Sequence, residues 1–314
     1  MISIIICSVN KVLLKQLELN IAISIGLNHE IIMIDNTNAN DGICAVYNKA
    51  AKAAQYPVLL FLHEDVLFNT QNWGPLILKH FANPVVGMIG LAGGDTKGIV
   101  PSSWSVVSRS KEMNLIQHHR GCTIGKHIFS SHGGGGEVAK KVVMLDGFFL
   151  CVRRSVFNEF KFDEVNLKGF HGYDIDYSLQ VFTKFEVRVV FDILVHHFSL
   201  GMLNKNWIES TITINKKWRK QLPLSVYPLS NEEANYYHWK SLQVFLYNLF
   251  RLRYPYHQII YYYLYYSFTK YFTVRRFLSM GKYVLQSMYK RPGEVIHAEV
   301  ANNYVSARKE INYN

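Results

Sequence analysis

The sequence has 314 residues, a formal net charge of +11 and a pI of about 9.3. It is 49% hydrophobic and 18% charged, which excludes a disordered or fibrous protein and allows one large domain, with or without a smaller appendage. The positive charge favours anionic partners such as nucleotides, phosphorylated lipids, a membrane surface or nucleic acid.

Strands and helices alternate in the first part of the chain. The sequence predicts strands at Ser3–Ser8, Glu30–Ile34, Val58–Leu62 and Val86–Leu91, and helices at Leu13–Ile25, Ile43–Ala54 and Trp73–Phe81. This rhythm predicts a mostly parallel sheet with helices on both faces. Ligands of such sheets bind beyond the carboxyl ends of the strands, so Asp35 and the pair Glu64 and Asp65, which follow two strands, are expected to face a crevice.

The segment from Gly93 to Lys141 is rich in Gly, Ser and His, and we predict irregular excursions over the site, with a flexible run at Gly133–Gly136. Regular structure then returns, with strands predicted at Val142–Leu145, Phe148–Arg153 and Val187–Phe191 and helices at Ser155–Phe160 and Tyr173–Phe182. Beyond about Asn204 the pattern is α-helical and very aromatic. We therefore predict an α/β domain over residues 1–203 and a helical region over residues 204–314.

The cysteines give no evidence of a zinc or disulfide framework. They lie far apart, at Cys7, Cys44, Cys122 and Cys151, and this pattern fits a reducing cytoplasm. No apolar segment reaches the ~20 residues of a spanning helix. We expect a cytoplasmic location, with the inner face of the cell membrane as the alternative.

Two stretches of the sequence carry carboxylates at positions typical of metal ligands or general bases. In LLFLHEDVLF, Glu64 and Asp65 end an apolar strand, where they suit a hard divalent cation, or else cap a loop and face solvent. In FHGYDIDY, Asp174 and Asp176 stand at a predicted helix start. Helix capping explains one of the two, and an Asp at this place can also act as a general base.

Two further stretches are shorter and allow two interpretations each. His196 and His197 follow the last predicted strand of the sheet, where a histidine is either structural or a metal ligand. Asp146 and Gly147 form either a simple turn between strands or a platform for a sugar, with aromatic residues beside it. The motifs GxxxxGK[ST], GxGxxG after the first strand and GxSxG do not occur, which argues against P-loop, dinucleotide-binding and α/β-hydrolase proteins.

Taken in order, the motifs resemble a GT-A-fold glycosyltransferase of the family 2 type, and especially the bacterial subgroup called glycosyltransferase-like family 2. The matching blocks are ISIIICSVN, EIIMIDNTN, AVYNKAAKAA, FLHEDV, LDGFFLCVRRSVF, FHGYDIDYSLQVF and VHHFSLG, within about residues 2–202. The resemblance implies a Rossmann-like, mostly parallel sheet. It also implies metal-dependent, inverting transfer of a sugar from a nucleotide-diphosphate donor, UDP-sugar favoured, to a glycan or lipid-linked hydroxyl in surface-polysaccharide synthesis.

The resemblance also implies roles for individual residues. Asp174 takes the place of the catalytic base, although Tyr173 stands where the family has a Glu. The expected ligands for Mn²⁺ or Mg²⁺ are His63, Asp65 and His197, and His63 departs from the family's Asp-x-Asp. Nucleotide-sugar binding is expected of Asp35, Asn48, Glu64, Asp65, Asp146 and Gly147. Contact with the acceptor, or support of the site, is expected of His171, Tyr173, Asp176 and His196.

Two other functions stay open. The departures at His63 and Tyr173 also fit a degenerate member that binds nucleotide sugar or glycan without turnover. The C-terminal third, with YPYHQIIYYYLYYSFTKYFTVRRF, suits a bilayer interface and so fits a basic membrane-associated scaffold. Its tyrosines alternatively pack internally or in a homodimer. We expect no nucleic-acid binding, because no known module pattern is visible.

Overall fold

The strands and helices predicted for the first part of the chain are present. The computed structural model describes residues 1–37, 41–106, 111–118, 124–130, 136–199 and 203–289. Up to residue 229 the elements are β1 (Ile2–Ser8), α1 (Lys11–Ser24), β2 (His29–Asp35), α2 (Ile43–Ala53), β3 (Val58–Leu62), β4 (Val66–Phe68), α3 (Trp73–Phe81), β5 (Val86–Gly90), β6 (Ala92–Gly94), β7 (Thr96–Lys97), β8 (Lys111–Gln117), β9 (Lys126–Ser130), β10 (Ala139–Val142), β11 (Met144–Leu145), β12 (Phe149–Arg153), α4 (Arg154–Glu159), α5 (Tyr173–Phe182), β13 (Glu186–Val190), β14 (Val195–His197), α6 (Lys205–Lys217) and β15 (Leu224–Ser225). β3, α3 and α5 have the predicted bounds.

The central sheet confirms the predicted α/β architecture. Seven of the described strands form it, in the order β10-β13-β5-β12-β3-β1-β2. Five of them run in one direction, whereas β10 and β12 are antiparallel to their neighbours. In register, Ser8 of β1 lies opposite Asp35 of β2, and Ile6 of β1 lies opposite Leu62 of β3. The carboxyl ends of these three strands therefore meet at one edge of the sheet.

Helices cover both faces of this sheet, as predicted, because successive side chains of a strand point to opposite sides. Ile5 of β1 belongs to a buried cluster with α2, α4 and α5, whereas Ile4 belongs to a second cluster with α1 and α3. Strand β3 divides in the same way, with Phe61 in the first cluster and Leu60 in the second. Each such side chain contributes roughly 1.5–3 kcal/mol on burial, so both faces hold the domain together.

A second sheet corrects the prediction of an irregular middle segment. Its order is β11-β6-β8-β14-β4, and β9 pairs with β8. Its strands pair with partners that are distant in sequence, such as Ile116 opposite His196. Buried polar residues such as Glu112 and Asn114 interrupt the apolar alternation, which hides β8 from sequence analysis. The run predicted as flexible, Gly133–Gly136, lies outside the described residues except for its last glycine.

The first compact unit extends to Leu229 and the second begins at Ser230, so the boundary predicted after residue 203 moves towards the C-terminus. The physical reason is that α6 belongs to the first unit. Ile214 and Trp218 are buried in the core cluster that contains α5. Trp218 Nε1 also donates a 2.7 Å hydrogen bond to Asp176.

The second unit is helical, as predicted for the end of the chain. Its described elements are α7 (Asn231–Arg251), α8 (Tyr256–Ser267) and α9 (Val274–Tyr289). A capping box formed by Ser230 and Glu233 begins α7. Apolar side chains of all three helices are buried, namely Trp239, Leu242, Phe245, Leu246, Leu249, Ile259, Tyr263, Met280 and Val284. In the part of the chain that the structure describes, no helix has the length and apolar character to cross a membrane.

Candidate active site

The carboxyl end of β3 carries the centre of the candidate site. The chain leaves β3 at Leu62 and turns through His63 and Asp65 into β4. Strand β14 pairs antiparallel with β4, which places His197 opposite Val66. The backbone N–H of Phe198 then donates to the carbonyl of Asp65 at 2.9 Å. This pairing brings His197 beside His63 and Asp65, although it is distant from them in sequence.

Three potential ligand atoms converge at this point. Asp65 Oδ1 is 3.9 Å from His63 Nδ1 and also 3.9 Å from His197 Nε2. One such atom from each of the three residues lies within 4.8 Å of the other two. Asp65 Oδ1 and His197 Nε2 are buried and have no hydrogen-bond partner among the described residues. Buried polar atoms are normally paired, so two orphaned atoms facing one another indicate room for a ligand between them.

The hydrogen bonds of His63 determine which of its ring nitrogens is free. Tyr173 Oη donates to the carbonyl oxygen of Gly147 at 3.0 Å. Because that bond uses the only hydroxyl proton, Tyr173 Oη accepts the 2.6 Å hydrogen bond from His63 Nε2. A neutral His63 therefore carries its proton on Nε2, and its Nδ1 presents a lone pair towards Asp65.

The hydrogen bonds of His197 fix its ring in the equivalent way. Gln117 Nε2 lies within 3.3 Å of the carbonyl oxygens of His118, His197 and Ser199, so this end of the amide is the donor. The acceptor Oε1 of Gln117 is then 3.2 Å from His197 Nδ1, which must carry the proton. The lone pair of His197 is on the buried Nε2, directed at Asp65. Phe148 stacks on this ring at 4.3 Å and holds its plane.

Burial sets the charge state of the cluster when no cation is present. It lowers the pKa of His63 and of His197, and it raises the pKa of the Asp65 carboxyl. Two neutral imidazoles and one carboxylate form a donor set that suits Mn²⁺, since imidazole and carboxylate both bind first-row divalent ions, whereas Mg²⁺ prefers oxygen ligands. The three residues therefore fit a divalent metal ion. Each histidine also has the hydrogen-bonded second nitrogen that is usual for metal ligands.

Asp174 lies in the first turn of α5, beside the turn formed by Asp146 and Gly147. Burial and the neighbouring charge of Asp146 raise the pKa of Asp174 to about 7. A carboxyl with this pKa suits general base catalysis at neutral pH. The close approach requires glycine, because a Cβ at Gly147 would lie 2.2 Å from Tyr173 Oη and 3.2 Å from Asp174 Cβ. Asp146 itself accepts a 2.8 Å hydrogen bond from Trp104 Nε1.

Glu64 and Asp35 lie at the same edge of the sheet but have different partners. Glu64 accepts hydrogen bonds from the backbone N–H groups of Val9 and Asn10, at 3.1 and 3.0 Å, and from the hydroxyl of Ser8. It therefore fixes the loop after β1. Asp35 is exposed at the end of β2, where hydrogen bonds from Thr37 lower the pKa of its carboxyl. It stays ionised and accessible to a ligand.

Two residues expected at the site are used elsewhere. Asn48 is buried on α2, and its amide bonds the backbone of Phe162 in both directions, at 2.9 and 3.1 Å, and Glu164 at 2.9 Å. These bonds use both N–H groups of the amide and one lone pair of its oxygen, so Asn48 anchors the backbone at Phe162, and its role in nucleotide-sugar binding stays a prediction. Asp176 is fully buried and accepts hydrogen bonds from Lys217, Trp218 and Gln180. Residues two apart on a helix point in nearly opposite directions, so Asp176 holds α6 while Asp174 faces the turn at Gly147.

His196 and His171 are the other two histidines that were expected at the site. His196 points to the opposite side of β14 from His197, and its Nδ1 is 2.9 Å from His118 Nε2. His171 precedes α5 and is partly buried, which lowers its pKa. Gln117, which orients His197, was not among the site residues predicted from the sequence. No local pattern marks it, because its role depends on the pairing of β8 with β14.

Comparison with known proteins gives one family and several structures. The family model described as "Glycosyltransferase like family" matches residues 3–221. No curated protein matches the chain. Among solved structures, GalNAc-T7 with UDP, GalNAc and Mn²⁺ is similar at 11% identity and a TM-score of 0.48, covering 93% of this chain and 58% of that chain.

Two further structures are similar at the same low identity. S. aureus TarS has 11% identity and a TM-score of 0.46, covering 79% of this chain and 43% of that chain. The Pyrobaculum calidifontis mannosyltransferase PcManGT, in complex with GDP-Man and Mn²⁺, has 11% identity and a TM-score of 0.47, covering 94% of this chain and 87% of that chain. The chain thus spans less than two thirds of the length of GalNAc-T7 and of TarS.

Proposed function

Since the chain belongs to the Glycosyltransferase like family, whose model it matches over residues 3–221, we propose that it transfers a sugar from a nucleotide-diphosphate donor to an acceptor hydroxyl. The observation that carries this proposal is the convergence of His63 Nδ1, His197 Nε2 and the orphaned Asp65 Oδ1 at the carboxyl edge of the sheet. Nucleotide ligands of α/β sheets bind at such an edge.

In this proposal His63, Asp65 and His197 would hold a divalent ion. When bound, such an ion would neutralise negative charge on the donor diphosphate and on the leaving nucleotide. The residues around it have separate tasks. Tyr173 and Gln117 keep the two lone pairs aimed at one point, and exposed Asp35 offers an acceptor for hydrogen bonds from the nucleoside.

Asp174 acts as the general base of the proposed reaction. Its carboxylate takes the proton of the acceptor hydroxyl while the oxygen attacks the anomeric carbon of the sugar. Direct attack from the face opposite the leaving nucleotide inverts the anomeric configuration. Asp146, whose charge raises the pKa of Asp174, makes this carboxylate a stronger base.

Calorimetric titration of the full chain with UDP and with GDP, each with and without Mn²⁺, tests the donor site. We expect one nucleotide to bind in a metal-dependent way and Asp65→Ala to remove this binding. Glu209→Ala, a surface acid on α6, is the control variant. If neither nucleotide binds, the proposed sugar transfer is refuted and a scaffold protein is favoured.

A separate experiment distinguishes an enzyme from a degenerate binding protein. Hydrolysis or transfer of the bound nucleotide sugar is followed for the wild type and for Asp174→Asn. Turnover that Asp174→Asn abolishes, with nucleotide binding kept, supports catalysis by Asp174. Binding of a nucleotide sugar with no turnover of any donor by the wild type would indicate a protein that binds without reacting.

We also propose a setting for the reaction. The motif order resembles the bacterial subgroup, which favours a UDP-sugar donor, a glycan or lipid-linked acceptor, and surface-polysaccharide synthesis. The scattered cysteines favour the cytoplasm. A screen of UDP-sugars and GDP-sugars, chosen by the nucleotide that binds in calorimetry, tests the donor class.

A further inference from the structure

The α8–α9 hairpin exposes apolar side chains in a regular pattern. On α9, Val274, Leu278, Leu285 and Tyr289 are exposed by 62%, 63%, 68% and 93%. Their spacing of four, seven and four residues places them in one narrow stripe along the helix. The stripe contributes nothing to the core of the unit, which on this helix is formed by other residues, such as Met280 and Val284.

The two helices are antiparallel, and their contacts define the seam between them. Tyr263 of α8 stacks on Phe277 of α9 at 5.1 Å and donates a 2.8 Å hydrogen bond to its carbonyl. At the other end of the pair, the hydroxyl of Tyr256 is 3.5 Å from the carbonyl of Met288. Gly281 faces Tyr263, because a Cβ there would lie 2.9 Å from the tyrosine hydroxyl.

Exposed apolar residues on α8 extend the stripe of α9 across the seam. Ile260 and Leu264 are exposed and are rotated from the seam in the same sense about the helix axis as Leu278 and Leu285 on α9. Because the helices are antiparallel, this equal rotation puts the four side chains on the same side of the pair. We call the surface formed by Ile260, Leu264, Val274, Leu278, Leu285 and Tyr289 the docking face.

The charged residues on the two helices that form the docking face are all basic, since α9 carries Lys and Arg but no acid, and α8 carries none of the four charged residue types. Arg275 and Lys282 are exposed and follow the apolar stripe of α9 at its outer edge. The sequence from Ala234 to Gly293 contains no Asp or Glu, but it contains nine Lys or Arg residues. An apolar stripe bordered by cations suits the boundary between headgroups and acyl chains of an anionic bilayer.

We propose that the docking face binds the surface of an anionic membrane, with the apolar stripe inserted at the headgroup boundary. This inference does not depend on the proposed sugar transfer. The charge pattern favours a lipid surface over a second copy of the chain, because two copies related by a twofold axis would bring like charges together. Binding then weakens with added salt, as the attraction to anionic headgroups is screened.

The test is sedimentation of the full chain with vesicles of phosphatidylcholine alone and of phosphatidylcholine mixed with phosphatidylglycerol. We expect at least tenfold stronger partitioning to the anionic vesicles. The double variant Leu278→Glu/Leu285→Glu should lose at least tenfold of this partitioning, since two inserted apolar side chains become charged. Arg275→Gln/Lys282→Gln should lose about fivefold for each charge removed.

Ile23→Glu is the matched control. Like the α9 variants it replaces an exposed aliphatic side chain by Glu, but Ile23, which is 78% exposed, lies on α1 of the first unit. It should partition like the wild type, and all variants should unfold at the wild-type temperature. Equal sedimentation with both vesicle types, or none, would overturn the proposal. A wild-type dimer in sedimentation equilibrium that Leu278→Glu/Leu285→Glu converts to monomer would also overturn it, and would assign the face to a second copy.

Discussion

Tyr173 and His63 are joined by a 2.6 Å hydrogen bond between Oη and Nε2, which connects the start of α5 to the end of β3. The same hydroxyl donates to the carbonyl of Gly147. These two hydrogen bonds give a role to Tyr173, which occupies the position where the family that the sequence resembles has a Glu. Tyr173 does not offer a carboxylate, but it fixes the ring nitrogen with which His63 faces Asp65.

Replacing Tyr173 by phenylalanine should weaken metal binding without unfolding the protein. The change removes the acceptor that holds the proton of His63 on Nε2, so the imidazole is free to rotate or to change tautomer. Loss of such a supporting partner typically costs about 10–100-fold in metal affinity. Titration of Mn²⁺ into the variant, followed by calorimetry, measures the loss.

Tyr177→Phe is the matched control for this change. Tyr177 lies on the same helix and is buried, and its hydroxyl has no hydrogen-bond partner among the described residues. The control should bind Mn²⁺ like the wild type. Equal affinities for Tyr173→Phe and the wild type would show that Tyr173 does not support His63.

Adding one methyl group at Gly147 should disturb both the base and the cation site. The new Cβ would lie 2.2 Å from Tyr173 Oη, which is shorter than any allowed contact, so α5 or the turn must move. We expect Gly147→Ala to lower the free energy of unfolding by about 1–3 kcal/mol and to reduce Mn²⁺ affinity. Urea unfolding and calorimetry measure the two effects. Gly169→Ala, where a Cβ meets no atom within 4 Å, should change neither, and a loss of both there would contradict the steric argument.

The parts of the fold that the sequence predicts are those with local patterns. Strand β3 is a continuous apolar run between turn residues, and α5 has an apolar face after Asp174, so both are found with the bounds predicted for them. The three proposed cation ligands, His63, Asp65 and His197, were expected from the resemblance to the glycosyltransferase family, whereas the local pattern alone indicated only the carboxylates after β3 and one of two adjacent histidines. The structure adds that their free atoms face one another.

The parts that the sequence does not predict depend on long-range pairing. Strand β8 has no clear alternation, because Glu112 and Asn114 are buried among its apolar residues. Gln117 acquires its role only when β8 lies beside β14. For Asp174 and Asp176 the sequence gives two similar carboxylates, and only the packing of α6 against α5 separates their roles.

Asp176 should be required for stability rather than for ligand binding. Its carboxylate is buried and accepts hydrogen bonds from Trp218 at 2.7 Å and Lys217 at 2.8 Å. Removing one partner of a buried pair leaves the other unpaired, and we expect Asp176→Ala to lower the free energy of unfolding by about 3 kcal/mol. Urea unfolding measures this loss. Nucleotide affinity of the folded fraction should be unchanged, and a selective loss of that affinity would return Asp176 to the site.

Asp174 should control both the pH dependence of turnover and the stability of the fold. Its pKa is raised from an ordinary 3.8 to about 7, first by burial and then by the charge of Asp146. The basic form is populated above this value, so kcat/KM should rise with pH through about 7. Asp146→Asn removes the neighbouring charge and should move this limb to lower pH.

A raised carboxyl pKa of Asp174 means that the folded state binds more protons than the unfolded state between pH 3.8 and 7, so stability falls as pH rises through that window. Asp174→Asn should therefore melt higher than the wild type at pH 8, with the difference vanishing below pH 4, while losing turnover. Thermal unfolding and initial rates across this pH range test the assignment, and an unshifted limb in Asp146→Asn would contradict it.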